Sequence, residues 1–557
     1  MKAWFQTRTG WPGLIGHWLD ETVPGGARWA YVFGSALVFL LLAQLASGLG
    51  LALNYSASVP AAWASVVRIE SSALGHLLRG LHAQGATFLL AVAGLHLLQT
   101  ALFGAYRAPR ELTWWLGLLL LALLLAFCLT GSLLPWDERG YWATRVTLGI
   151  AGTAPIFGAP LQRLMQGGHE LGNLTLTRFY AVHAMLLPLL LVVFGAAHVA
   201  AMRRHGITPP APSPSGEPFW PRQALYDAAF ALLLLAALLA AAVHFGAPLQ
   251  GPADPGGAAN PRPEWYFRPL FQLLKLMPAR LESVGTFLLP LLAAAFLVAL
   301  PFIDKDGRRR PAAMAALGGG FLAAALLCIA SYRADARSPD FRRQESLARM
   351  RAQKALQLAR TMGVPPDGAL ALLMNQPDER GARLFASACI DCHTARGVGA
   401  HKAPRLDGYL SRSFIRGVLL HPEAPDLYGN AKISGMDGYG NLGEEKIASL
   451  VEYLYALRAH APDDPALESG RRLYLSAGCA DCHALAPGKS EGGPTLYGYG
   501  SAQWLRGLLK DPGAPFYYDG QNRMPDFGNR LAPEDIDDLI AYLLSLENDP
   551  LEEAHNP

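Results

Sequence analysis

Charge is scarce in this chain. Only 16% of its 557 residues are Asp, Glu, Lys or Arg, against about 25% in an ordinary soluble protein. Cysteine is scarcer still: six residues are too few to scaffold a chain of this length with disulfides. A hydrophobic content of 52% excludes a disordered chain. The shortage of charge is also uneven. Residues 1–332 carry 22 Lys and Arg and 14 Asp and Glu, net +8, whereas residues 333–557 carry 25 and 30, net −5. The first part has the composition of a membrane protein and the second that of a soluble one, so a wholly soluble enzyme is excluded.

Seven apolar stretches lack Asp, Glu, Lys and Arg altogether: about 30–53, 80–106, 112–136, 179–202, 228–249, 284–303 and 311–332. Each can cross ~30 Å of hydrocarbon as a helix, which satisfies its own backbone without water. An odd number of crossings places the two chain ends on opposite sides. The connections on the N-terminal side hold 12 Lys and Arg in short loops, and the longer connections opposite hold 10. That density favours a cytoplasmic N-terminus. The start, Met1-Lys2-Ala3-Trp4, lacks the apolar stretch and cleavage site of a signal peptide. Residues 11–22 read as an amphipathic segment on the membrane surface. Pro209-Pro210-Ala211-Pro212-Ser213-Pro214 reads as a stiff connector, and 336–376 as a charged, helical linker.

Ionisable side chains inside a membrane are costly, so each marks a functional candidate. The second stretch holds His82 and His96, 14 residues apart, and the fourth holds His183 and His198, 15 apart. At 100° and ~1.5 Å per residue, both pairs return close to one helical face with rings ~21–22 Å apart. The two stretches run in the same direction, so His82 meets His183 at one depth and His96 meets His198 at the other. Two such pairs suit bis-imidazole ligation of two haems stacked across the bilayer. Four satisfied core histidines are the plainer alternative. Gly34 and Gly48 on the first stretch, and Gly117 and Gly131 on the third, repeat the 14-residue spacing. Glycine lets a macrocycle press against a backbone, which favours the haem reading over ordinary small-residue packing.

These residues, with Leu112-Thr113-Trp114, Pro135-Trp136-Asp137, Thr177-Arg178-Phe179-Tyr180 and Pro263-Glu264-Trp265-Tyr266, resemble the cytochrome b family of quinol–cytochrome c oxidoreductases over about residues 11–332. The 15-residue step and the absence of an eighth helix resemble the b6f-type subfamily, with its four-helix and three-helix chains fused here. The resemblance implies that Arg79 and Arg178 lie near the outer haem, Arg79 as a propionate partner. It also implies an outer quinol site at Glu264 and Tyr266. A carboxylate there can take a quinol proton and the aromatic residue can shape the pocket; an interfacial aromatic belt with a solvated Glu is the bland alternative. At the inner side, Asp227 matches a quinone-site aspartate of bc1-type proteins, and His205, Arg203 and Arg204 could face the quinone or simply anchor the membrane edge. The b6f-type cysteine that tethers an extra haem is replaced by Val32.

Four of the six cysteines lie in Cys389-Ile390-Asp391-Cys392-His393 and Cys479-Ala480-Asp481-Cys482-His483. Each is a Cys-x-x-Cys-His signature of covalent haem c, in which two thiols form thioethers and the histidine ligates iron. A four-cysteine zinc site does not explain a histidine after both pairs. Pro404, Leu406 and Phe414 recur as Pro494, Leu496 and Trp504, at the same offset of 90 as the cysteine motifs. Met436, 43 residues after His393, and Met524, 41 after His483, are the expected sixth ligands of their own repeats. Arg523-Met524-Pro525-Asp526-Phe527 resembles the methionine loop of class I cytochromes c. Thioether ligation raises a haem potential, which suits an acceptor downstream of quinol. Cys128 and Cys328, in the membrane, read as small apolar residues.

The expected architecture is all-α, a seven-helix transmembrane cytochrome b bundle followed by two tandem class I cytochrome c domains. Residues 1–210 form the four-helix part with two b haems, 211–335 the three-helix part, 336–376 the linker, and 377–460 and 461–557 the two c domains. Haem c attachment occurs outside the cytoplasmic membrane, so the tail is expected outside a bacterial inner membrane. The resemblance implies quinol oxidation outside, quinone reduction inside and proton translocation. The expected partners are a separate Rieske iron–sulfur protein, a soluble cytochrome c or similar acceptor, membrane lipid and a second copy of the complex; no nucleic acid is expected. Two alternatives stay open: a Rieske-independent quinol dehydrogenase, and a haem-based sensor or electron-relay anchor. After Arg530 the chain has acidic residues and no Lys or Arg, a candidate docking face for a basic acceptor.

Overall fold

A computed structural model describes residues 4, 7–8, 20–154, 157–210, 215–257, 261–428, 435–459, 464–486, 492–518 and 522–548. The expected surface segment 11–22 lies outside these residues but for its last three, as do 211–214 of the proline connector and the end of the acidic tail. The chain divides into two compact units, 1–370 and 371–557.

Among the described residues, the first unit has seven helices long and apolar enough to span a membrane. They are α1 (Trp29–Ala52), α3 (Ala73–Phe103), α4 (Glu111–Ser132), α7 (Asn173–His205), α8 (Arg222–Phe245), α10 (Ala279–Ile303) and α11 (Arg310–Arg337). Shorter helices interrupt the long connections: α2 (Val59–Glu70), α5 (Glu138–Gly152), α6 (Gly158–Gln166) and α9 (Arg268–Leu276). Because the spans alternate in direction, all four fall at one end of the bundle. The turns 104–110 and 304–309, with 206–210 and 215–221, close the other. There, β1 (Thr22–Pro24) pairs antiparallel with β2 (Gly216–Pro218).

Proline sets the irregularities of the spans. Val182–Leu186 in α7 and Val284–Leu288 in α10 are π turns. Pro188 and Pro290 follow each of them, and each ring would clash with the carbonyl four residues back, inside the widened turn. Pro301 in α10 likewise leaves the Leu297 carbonyl without its helical donor. Trp114 of α4 donates its indole N–H to that carbonyl at 2.8 Å. Nearby, buried Asp304 accepts from Tyr106 at 2.6 Å and from Arg107 at 2.7 and 3.1 Å. The four-helix and three-helix parts are thereby locked together at the short-turn end. Leu40, Leu89, Leu90, Leu124 and Leu238 fill the middle of the bundle.

At the long-loop end, Trp136 and Asp137 pair with the strand-like segment 250–254. The Trp136 carbonyl accepts from Ala253 N–H at 3.1 Å, and Gly251 O accepts from Glu138 N–H at 2.9 Å. The Asp137 carboxylate caps α5 at Gly140 N–H, 2.8 Å away. The linker forms α12 (Pro339–Met362), and its Arg351 binds Glu138 at 2.6 Å and Asp254 at 2.9 Å. The linker helix is thus anchored on this end of the bundle.

The second unit contains α13 (Pro377–Ala388), α14 (Arg412–Leu420), α15 (Glu444–Ala456), α16 (Glu468–Ser476), α17 (Ala502–Lys510) and α18 (Pro533–Ser545). The two repeats follow each other in sequence as expected, but in space they interlock. Helix α13 packs on α18, the last helix of the other repeat, and α15 packs on α16. At the first crossing Gly381 lies against the Asp538 carbonyl, Arg380 grips the Asp538 carboxylate at 2.5 and 2.6 Å, and Phe385 meets Tyr542 at 5.3 Å. At the second, Gly470 lies against the Ser449 carbonyl and Tyr453 meets Tyr474 at 5.7 Å. Among the described residues one body is therefore contiguous within roughly 411–500, with its Phe414 and Leu427 also entering the other core. The other is closed around it from 377–410 and 501–546. The chain crosses over where Leu410, with φ +71°, touches Gly500, with φ +76°. A short connection between α15 and α16 favours this pairing, since consecutive helices usually pack on each other.

Candidate functional site

Each of the four membrane histidines faces one glycine of a neighbouring helix. A methyl group at Gly48 would lie 3.0 Å from Cε1 of His82, and one at Gly131 2.7 Å from His183. At the other depth, a methyl at Gly117 would lie 3.2 Å from His198, and one at Gly34 3.8 Å from His96. The glycines spaced by 14 residues thus seat the imidazoles themselves. His82 and His183 face each other with ring centroids 6.2 Å apart, which leaves room for an iron bonded to both at ~2 Å, the usual imidazole–metal distance. Three of the rings have Nδ1 engaged: His82 with Ser47 at 3.1 Å, His183 with Thr130 at 3.1 Å and His198 with the Thr113 carbonyl at 2.9 Å. Such bonds fix ring orientation and leave Nε2 for a metal. The residues fit two bis-histidine haems. The π turn of α7 contains His183, so its one extra residue explains why 15 positions there do the work of 14 in α3.

At the long-loop end, beside His82 and His183, Arg79 pairs with Glu70, whose other oxygen binds His76 at 2.6 Å. Arg178 donates to the Leu164 carbonyl. The Pro263–Tyr266 loop lies over this end. Trp265 and Tyr266 pack against the central apolar core, while Glu264 is 51% exposed with Arg139 at 3.8 Å. Arg268 and Arg262 hold the loop by binding Asp335 of α11 at 2.7 and 2.8 Å. Burial, chiefly, pushes the Tyr266 phenol far above its ordinary range, so it stays protonated. Both membrane cysteines touch this loop. Cys128 packs beside Tyr266 at the edge of the central core, and Cys328 donates to the Trp265 carbonyl at 3.6 Å. Their role escaped the sequence reading because a lone cysteine in an apolar helix carries no pattern.

At the short-turn end, Asp227 accepts from Gln223 at 2.8 Å. Arg203 pairs with Glu21, and the His205 carbonyl accepts from Arg110 at 2.7 Å. All three lie on one end of the bundle, beyond His96 and His198.

In the second unit, His393 and His483 each donate Nδ1–H to a proline carbonyl, Pro404 and Pro494, at 2.8 Å. That leaves Nε2 free for iron. Burial holds both imidazoles below their ordinary pKa, in the neutral form a metal requires. The four cysteines lie beside these rings in sequence, so the residues fit covalent haem. Met524 lies against the core containing Cys389, and Met436 against the core holding Cys479.

Comparison with known proteins agrees with this geometry. The family described as Cytochrome b(N-terminal)/b6/petB matches residues 87–252, and Cytochrome b(C-terminal)/b6/petD matches 255–332. The Cytochrome c family matches 379–458 and again 467–547. The cytochrome b6 of Mesostigma viride is 36% identical over 208 residues, 37% of this chain and 97% of the relative. The cytochrome b of Cereibacter sphaeroides is 30% identical over 349 residues, 56% of this chain and 78% of the relative. A solved chain of a "Hyperthermophilic respiratory Complex III" superposes with a TM-score of 0.54 at 27% identity, covering 66% of this chain and 99% of that one. The chain belongs to the cytochrome b family: it is a haem-binding, membrane-embedded cytochrome b-type subunit of a bc-type complex that carries two cytochrome c domains behind its membrane part.

Proposed function

We propose that this subunit oxidises quinol at the long-loop end of the bundle, with two b-type haems between α1, α3, α4 and α7 and two c-type haems in the second unit. The observation that carries the proposal is the position of the Pro263–Tyr266 loop. It lies at the His82/His183 end, with Tyr266 against Cys128 of the helix that also supplies Gly131. When bound, haem supplies one-electron acceptors at two depths of the membrane and along the tail. The protein's own groups handle the protons and the positioning. Tyr266, half-buried and protonated, shapes the apolar side of the pocket. Glu264, half open to solvent, takes a quinol proton and passes it to water outside. The arginine pair on Asp335 keeps the loop in place. At the other end Asp227 would serve the inner quinone, with Arg203 and His205 at the same membrane edge, so that protons are taken up inside.

All four cysteines outside the membrane belong to haem c signatures, so the iron–sulfur cluster of a Rieske protein must come from another chain, and a soluble acceptor must follow the c haems. The N-terminus would be cytoplasmic and the tail outside a bacterial inner membrane, in a dimeric complex. Glu264→Gln in the intact complex should lower quinol:cytochrome c turnover by ~10²–10⁴-fold, the usual worth of a positioned proton acceptor, with haem b content unchanged. Unaltered turnover would mean that Glu264 does not take the quinol proton, and a wild-type complex with no quinol-dependent turnover would make the chain an electron relay.

A further inference from the structure

We propose that each c-type haem takes its methionine ligand from the other repeat: Met524 completes the iron held by His393, and Met436 the iron held by His483. This rests on the reading of the two Cys-x-x-Cys-His segments as covalent haem sites. The spacing in the sequence pairs each methionine with the histidine upstream in its own repeat. The packing crosses them.

Three observations carry the crossing. The first is the apolar cores. Met436, Tyr439 and Leu442 share a core with Cys479, Leu485 and Leu496, and among the described residues no member of that core comes from 377–410. Met524 and Phe527 share the other core with Phe385, Cys389, Ala395 and Leu406, and none of its members comes from 464–498. The second is a direct contact. The Tyr439 side chain lies beside Cys479 in the core that holds Met436, although Tyr439 follows Met436 by three residues and Cys479 belongs to the other repeat. Phe527 stands at the equivalent place, three residues after Met524, and is buried in the core that contains Cys389.

The third is the way each methionine segment is fastened. The Tyr439 N–H donates to the Leu419 carbonyl at 2.8 Å, and Phe527 N–H donates to the Leu509 carbonyl at 3.0 Å. Each methionine segment therefore travels with the two helices of its own second half, α14 and α15 or α17 and α18. Of those helices, α15 packs on α16 and α18 on α13, the helix that leads into the other repeat's Cys-x-x-Cys-His segment in each case, while the loop after α14 or α17 stays on its own repeat through Arg405 N–H to the Asp426 carbonyl and Thr495 N–H to the Phe516 carbonyl. For Met436 to reach His393, its segment would have to leave the core that α15 and α16 build together. The nested body, 411–500, is then a cytochrome c in permuted order, methionine first and Cys-x-x-Cys-His last. The outer body closes from both chain ends. Neither haem can lose its partner repeat without losing its sixth ligand, which fixes the two haems in one rigid relay.

The test uses the full-length subunit in its complex, read by the sulfur-to-iron charge-transfer absorption of oxidised methionine-ligated haem c. In a Cys479→Ala/Cys482→Ala chain only the haem at His393 remains covalent. There Met524→Ala should abolish the band and Met436→Ala should leave it. In Cys389→Ala/Cys392→Ala the two methionines should exchange roles. The opposite pattern, or a band indifferent to both methionines, overturns the crossing. Where these chains fail to assemble, a protease site introduced at 460–463 serves instead. After the cut, the two repeats should stay together on a native sizing column with both bands intact. Repeats that separate, each keeping its band, overturn the crossing. Loss of covalent haem stain from the unaltered chain would mean that the haem reading has failed, not the pairing.

Discussion

A single methyl group distinguishes the four histidine sites. Gly131 has room for none beside His183, whereas Gly34 leaves 3.8 Å to His96, an ordinary contact. Overpacking of a tight site costs about 1–3 kcal/mol and rotates side chains. Gly131→Ala should therefore displace His183 and lower haem b content towards half, while Gly34→Ala should retain both haems; redox-resolved haem b spectra of purified complex decide it. Equal behaviour of the two variants would mean that the glycines do not seat the rings. The pattern was legible in the sequence because glycine and histidine share one period. The direct contact was not, since spacing shows which residues share a face but not what touches them. The same holds for Cys128, which gives no signal until a tyrosine 138 positions away is folded against it. A thiol packed beside a half-buried hydroxyl is worth at most what a hydrogen bond contributes, about 0.5–1.5 kcal/mol, a factor of ~2–10 in an equilibrium or a rate. Cys128→Ala should lower quinol turnover by that factor without changing haem content, and wild-type turnover would show that Tyr266 needs no such partner.

At the scale of the element, the seven spans were readable from the absence of charge, because a membrane helix must be apolar along its whole length. The π turn was not, since nothing in local composition separates a widened turn from a regular one. Only the combination of a 15-residue step with a following proline points to it. The consequence can be tested. Met185 is exposed on the outside of the π turn at 70%. Deleting it, together with Pro188→Ala to remove the clash that widens the turn, makes α7 regular and sets the histidines 14 apart, as in α3. Both b haems should remain. If one is lost, the π turn places His183 in a way a regular helix cannot, and the equivalence of 15 and 14 residues is mistaken.

For the whole molecule, the charge balance changes at about residue 332, whereas the chain divides in space at 370, because the charged linker helix α12 is held on the membrane unit by Arg351. Sequence repeats, however, do not reveal which half pairs with which, because both pairings bury the same residue types. The interlocked arrangement makes the two bodies unequal. The nested body is contiguous and its ends meet at Leu410 and Gly500. The outer body needs its halves, 377–410 and 501–546, brought together across the 90 residues between them. Closing a flexible loop of that length costs about 4 kcal/mol, which the folded nested body removes. Gly381→Val, at the α13–α18 crossing, should therefore destabilise the outer body and spare the nested one. Gly470→Val, at the α15–α16 crossing, should destabilise both. Thermal melts followed by the sulfur–iron band, in chains carrying one covalent c haem or the other, separate the two bodies. Effects confined in each case to the substituted crossing would mean that the bodies fold independently, and that the nested segment does not hold the ends of the outer one together.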